Sequence, residues 1–277
     1  MIPAFAYAEA EFDIIPSSQY EDQFRLDRIN NLIEIASVEY PRNPRASFCT
    51  RPTDMIDTIV LHHSETRNTE TPEDINEYHL NRGSPNDPWY MIAYSFVMMA
   101  PYEGQTRPAL KAFYGRPMHI VGAHAGSNIF VPMDDVQKKL WDEKKILCGK
   151  DLGTQTFDPK LVQNGKIKAN VTTIGLVVNG NYSLFSGSRL RNGRRNPYPN
   201  PNGFIPPKQP TSNLIDSLAR LSCQVQKSYP RIKILAYHNQ YHRTSCPGSI
   251  QESKNLKAIQ TKAKEYGCDF KLLSQKY

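Results

Sequence analysis

Thr172 to Val178 is an almost unbroken apolar and β-branched run, Thr-Thr-Ile-Gly-Leu-Val-Val, and it constrains the fold more than any other stretch. A short segment without polar alternation has no face to give to water, so it belongs in the middle of a covered sheet. Met55 to Leu61, Tyr90 to Met99 and Ile232 to Ala236 are further candidate strands. In the second, alternation places Tyr94 and Phe96 on one face and Ser95 and Val97 on the other.

Helical patterns lie between these runs. Thr71 can cap a helix that starts at Pro72, carries Glu73 and Asp74 at its positive end, and runs to about Asn81 before Gly83. Ile75, Tyr78 and His79 are expected on its inward face. Thr211 can cap a second helix from Ser212 to Ser228, with Leu214, Ile215, Leu218, Leu221 and Val225 as its core face. A third runs from Ser249 to about Tyr266 and stops at Gly267. Strands alternating with helices, without an internal repeat, predict an α/β fold with a central mixed β-sheet flanked by helices.

Residues 1–45 read as an N-terminal extension, with a helix from Ser18 to Ile35 and a start that resembles the end of a secretory signal. Residues 46–277 form the main domain. Within it, the charged, turn-rich stretch from Val131 to Asn170 reads as an insertion with a helix around Asp134 to Leu147. The proline-rich stretch Arg189 to Pro210 reads as a long loop.

No run of ~18 apolar residues is present, so no membrane-spanning helix is expected. A net charge of +7 favours polyanionic partners, either nucleic acid or an acidic cell-wall polymer. Arg191, Arg194 and Arg195 make the one approach to a basic cluster. No aromatic-interleaved motif accompanies them, so nucleic acid is not expected as a partner. If Cys246 is a metal ligand, Cys49, Cys148, Cys223 and Cys268 remain. In an oxidising compartment they could pair in three ways that the sequence does not distinguish, and Cys223 could equally be a buried thiol.

The seven histidines occupy three stretches: His62, His63 and His79; His119 and His124; His238 and His242. The last lies in Ala236-Tyr-His-Asn-Gln-Tyr-His-Arg-Thr-Ser-Cys-Pro-Gly248, directly after a candidate strand. A strand-end imidazole followed by a loop cysteine fixed by Pro247 and Gly248 offers the nitrogen and thiolate donors that zinc favours. A third donor must come from elsewhere, and the histidine-bearing strand end Thr58 to Ser64 is the natural source.

Taken together, Ile59-Val-Leu-His62-His63-Ser64, Ala93-Tyr94-Ser95-Phe96, Gly122-Ala-His124-Ala-Gly, Thr173-Ile-Gly-Leu and His238 with Cys246-Pro-Gly resemble the zinc-dependent N-acetylmuramoyl-L-alanine amidase superfamily. That superfamily includes the phage T7-type lysozymes and the peptidoglycan recognition proteins, and the likeness covers roughly residues 55–265. It implies one zinc ion held by His62, His238 and Cys246, with the fourth position open to water. It makes His63 a packed neighbour and excludes His242 as a ligand. Tyr94 matches an active-site tyrosine that orients the water or stabilises an oxyanion. Thr244 stands where the phage enzymes carry a lysine, and its hydroxyl can donate but brings no charge. Val177 stands where other branches carry a general-base glutamate, so that role passes to Tyr94 or the metal-activated water. His124 matches a histidine that contacts substrate.

The resemblance implies hydrolysis of the amide between N-acetylmuramic acid and the L-alanine of peptidoglycan or muropeptides, in the periplasm or after secretion, with the cytoplasm as the other location. The alternative is a peptidoglycan-binding recognition module that does not cut.

Overall fold

The computed structural model describes residues 32–277 apart from 38–39, 65–70, 85–86, 100–110, 127, 181, 183–208, 245 and 275–276. The apolar runs assemble into a seven-stranded mixed sheet. Its strands, numbered along the chain, are β1 (Glu34–Ser37), β2 (Thr58–His63), β3 (Phe96–Met98), β4 (Lys111–Tyr114), β5 (Thr173–Val178), β6 (Ile234–Tyr237) and β7 (Lys271–Leu272). Their order across the sheet is β1-β4-β3-β5-β2-β6-β7. All neighbours are parallel except β3 and β4. All six residues of β2 and of β5 are buried, as runs without alternation require at the centre of a covered sheet.

Among the described residues the four helices longer than one turn are α1 (Pro72–Leu80), α2 (Asp135–Asp142), α3 (Ser212–Ser228) and α4 (Ser253–Glu265). One face carries Ile59, Leu61, Phe96, Ile174, Leu176 and Leu235, which pack with the core residues of α3 and α4. The opposite face carries Val60, Ala236, Val97 and Val177 in two smaller cores shared with α1 and the 131–170 region. His62 has the parity of Val60, and His238 that of Ala236. The fold therefore sends both histidines to the second face, at the C-terminal ends of adjacent parallel strands.

Helix α1 begins as its sequence predicts: Thr71 and Asp74 form a reciprocal capping box ahead of Pro72. Its inward face differs from expectation. Ile75 and His79 are buried, but Tyr78 is 52% exposed, with the Arg82 guanidinium 4.3 Å above its ring. Asn76 takes the inward place because it joins two loops: Nδ2 donates to the carbonyl of Pro41 at 3.1 Å, and Oδ1 accepts from the N–H of Ile92 at 2.7 Å. The strand expected from Tyr90 to Met99 is only Phe96–Met98, so alternation does not reach Tyr94. Tyr94 packs with Val97, on the face opposite Phe96.

Most of the helix expected from Ser18 to Ile35 lies outside the described residues. Its end is instead β1, the edge strand of the main sheet. The proline-rich loop also lies outside them, apart from residues 209–210. The 131–170 region holds α2, which is capped by Asp134 and ends at Asp142, short of the expected Leu147. Two small antiparallel sheets flank it. Of the three possible pairings of four cysteines, the fold selects Cys49–Cys148 and Cys223–Cys268. Cys223 is thereby bonded rather than a free thiol, and Cys246 belongs to neither bridge.

Candidate metal centre

His62 and His238 reach the same space because β2 and β6 are hydrogen-bonded neighbours, with Leu61 opposite Tyr237 and a histidine following each. Their ring centroids are 4.4 Å apart. The chain beyond His238 makes one helical turn, His238–Tyr241, and returns so that Cys246 lies against β2. The backbone N–H of His63 donates to Sγ of Cys246 at 3.3 Å, and Nδ1 of His62 lies 3.7 Å from the same sulfur. A cis peptide bond joins Cys246 to Pro247.

One ligand atom from each of His62, His238 and Cys246 falls within 4.8 Å of the others. Tetrahedral zinc places a thiolate sulfur and an imidazole nitrogen about 3.6 Å apart, so the His62 to Cys246 separation suits the ion without rearrangement. His238 supplies an independent indication. Its Nδ1 is buried and has no hydrogen-bond partner among the described residues. Such an atom costs folding free energy unless something occupies its lone pair. The donor set of two imidazoles and one thiol is the kind that binds zinc, and three donors leave one position open.

Burial dominates the electrostatics. It pushes the imidazolium form of His62 well below the ordinary histidine range, and neighbouring histidines add to the effect. Burial lowers His238 and His124 to about 3, and His63 and His79 to about 4. All five rings are neutral at physiological pH, the state in which an imidazole can act as a ligand.

His63 points away from the three donors. Its Nδ1 accepts from the N–H of Tyr182 at 3.0 Å, because adjacent residues of a pleated strand face opposite ways. The His242 ring stacks on His238 at 6.0 Å. Tyr94, half-buried, sets its ring 5.0 Å from that of His62 and 5.4 Å from that of His79. Oγ1 of Thr244 accepts the N–H of Cys246 at 3.2 Å, which shapes the cysteine loop. Val177 pairs with His62 across the strands and is fully buried. His124 is buried behind His62, with both ring nitrogens engaged by neighbouring side chains.

Several residues that build this centre give little local signal in the sequence. Oδ1 of Asn170 accepts the backbone N–H groups of His124 and Ala125, at 3.1 and 2.7 Å, and holds the 122–126 loop against β5. Arg51 is buried and donates to the carbonyls of Met118, Asn170, Val171 and Thr173. Arg116 does the same for Met91, Ile92 and Val121.

The fold and centre define a mixed α/β protein with a three-donor His/His/Cys site at the C-terminal edge of its sheet. No protein-family model and no curated protein matches the chain. Among solved structures it resembles amidase endolysins. The endolysine N-acetylmuramoyl-L-alanine amidase LysCS from Clostridium intestinale URNW is 20% identical over 83% of this chain and 95% of that one, with a TM-score of 0.44. The N-acetylmuramoyl-L-alanine amidase LysC from the same organism is 20% identical over 83% and 97%, with a TM-score of 0.43. The Ph2119 endolysin from Thermus scotoductus MAT2119 bacteriophage Ph2119 is 16% identical over 75% and 84%, with a TM-score of 0.39.

Proposed function

We propose that this chain is a zinc-dependent N-acetylmuramoyl-L-alanine amidase, hydrolysing the amide between the lactyl group of N-acetylmuramic acid and the L-alanine of the stem peptide. The observation that carries the reading is the convergence of His62, His238 and Cys246 on one point, with the buried Nδ1 of His238 left without a partner. Zinc held there would polarise a carbonyl and acidify water, which is the chemistry amide hydrolysis needs.

The chain's own groups divide the remaining work. Tyr94 stands beside His62, where its phenol can donate to a developing oxyanion or orient water. Thr244 accepts from the Cys246 N–H and can direct its own proton outward, as a weaker, uncharged donor. Val177 supplies no carboxylate, so proton transfer falls to Tyr94 or to the water itself. The two disulfides support a location outside the reducing cytoplasm, where peptidoglycan lies. A net charge of +7 suits a substrate whose stem peptides carry carboxylates.

The test is digestion of purified peptidoglycan by zinc-loaded protein, with the products read by mass spectrometry. The expected result is release of intact stem peptides with a free L-alanine amino terminus, abolished by a chelator and restored by zinc. A wall that is bound but left intact would overturn the enzyme reading in favour of a recognition module.

A further inference from the structure

Four polar groups run in series from the metal-facing histidine to the backbone. Nε2 of His62 lies 3.2 Å from Nδ1 of His124, and Nε2 of His124 lies 3.3 Å from Oγ1 of Thr173. That hydroxyl in turn donates to the carbonyl of Ala169 at 2.8 Å. The last member fixes the direction of the whole series. A carbonyl only accepts, so Thr173 directs its single proton to Ala169 and presents lone pairs to His124. Nε2 of His124 therefore carries a proton, and Nδ1 of the neutral ring is an acceptor. The proton between the two rings must then belong to Nε2 of His62. Nδ1 of His62 is left as the unprotonated nitrogen, its lone pair facing the Cys246 sulfur 3.7 Å away.

We propose that His124 and Thr173 are positioning residues that hold His62 in the one tautomer able to take a metal ion at Nδ1. The proposal rests on the metal-site reading above. Metal-binding histidines commonly pass their outer N–H to a carboxylate, a backbone carbonyl or water. Here the acceptor is a second imidazole, backed by a hydroxyl. Unlike a carboxylate, this pair brings no charge, so the thiolate of Cys246 is the only anionic donor in the set and a bound divalent ion keeps a net positive charge.

The series is held from several sides. His124 and Thr173 are 4% and 1% exposed, so water does not compete for their hydrogen bonds. A β-carbon at Gly122 would stand 2.7 Å from Cδ2 of His124, and one at Gly175 would stand 2.9 Å from its Cγ. The ring is thus gripped between two backbones that lack side chains, while Oδ1 of Asn170 accepts the backbone N–H of His124.

Zinc affinity, measured by competition with a chromogenic chelator on the full chain, tests the proposal. Thr173→Val keeps the side-chain shape and removes the hydroxyl acceptor while the Thr173 main-chain carbonyl stays beside the ring, so zinc binding roughly 10-fold weaker is expected, the low end for outer partners of a ligand histidine. Thr173→Ser restores the hydroxyl and should bind nearly as the native protein does. Long-range 1H–15N spectra of the metal-free native protein read the tautomers directly, and both His62 and His124 should carry the proton on Nε2. Equal affinity in Thr173→Val, or a proton on Nδ1 of His62, would overturn the positioning role while tight native zinc binding left the metal site intact. If the native protein binds no zinc, the metal reading fails and the positioning role fails with it, even should the spectra show the expected tautomers.

Discussion

Gly175 runs so close beneath His124 that a β-carbon there would stand 2.9 Å from Cγ of that ring, and equally far from Cδ1 of Tyr94. Such a separation is well inside van der Waals contact, so two of the site's aromatic rings depend on the missing side chain. Gly175→Ala should therefore cost about 1–3 kcal/mol, as overpacking does, and weaken zinc binding by moving His124. Urea denaturation of the metal-free protein and chelator competition measure the two effects. Unchanged values for both would show that the rings do not rest on this backbone.

Tyr94→Phe separates chemistry from metal binding. The ring and its packing against His62 remain, and only the hydroxyl is lost. Loss of one oxyanion donor predicts a fall in kcat of roughly 10²–10³-fold with unchanged zinc affinity. Thr244→Val removes the acceptor of the Cys246 N–H and should weaken zinc binding together with the rate, unlike Tyr94→Phe. Steady-state rates on a soluble muropeptide beside metal titrations decide this, and a Tyr94→Phe enzyme with native kcat would remove the phenol from the reaction.

Arg51→Met tests the scaffold behind the centre. Arg51 is 3% exposed and gives its N–H groups to four main-chain carbonyls around β5 and the 118–121 turn. Methionine fills similar space but leaves those acceptors buried and unpaired, so a loss on the order of 3–5 kcal/mol is expected from equilibrium denaturation. A loss below 1 kcal/mol would mean that water replaces the guanidinium.

Buried neutral histidines make stability depend on pH in a defined direction. His79 titrates at about 4 in the folded chain because burial, then the Arg116 charge, disfavours its cation. Free imidazole titrates near 6.5. Between these values the unfolded chain binds a proton that the folded chain refuses. The stability contributed by neutral His79 is therefore complete above pH ~6.5, falls as pH drops, and is gone below about 4. Nδ1 of His79 accepts the N–H of Ala93 at 3.2 Å, and Asn at this position can still accept there. His79→Asn should thus show a smaller loss of urea midpoint between pH 7 and pH 5 than the native chain, both in chelator. An equal loss would place the proton uptake elsewhere.

The convergence of His62, His238 and Cys246 was legible because local sequence places them: a histidine at the end of an apolar strand, and a cysteine held by Pro247-Gly248 eight residues after another histidine. The central strands were legible for the same reason, since their runs admit one environment. Reading failed where partners distant in the chain decide. Asn76 displaced Tyr78 from the inward face of α1 because two loops needed its amide. Tyr94 fell on the face opposite Phe96 because the strand between them is too short for alternation to count back that far. The pairing of the cysteines depended on which segments become neighbours, which spacing does not encode.

That pairing divides the centre between two covalent rings. Cys49–Cys148 encloses His62, Tyr94 and His124, while Cys223–Cys268 encloses His238, Thr244 and Cys246. The rings do not overlap along the chain, and each metal donor set is incomplete without the other. An ion bound by all three would be a third cross-link, a removable clasp between two closed circuits. A chain cut between residues 149 and 222 would leave both circuits whole, joined by the sheet and by whatever the clasp holds.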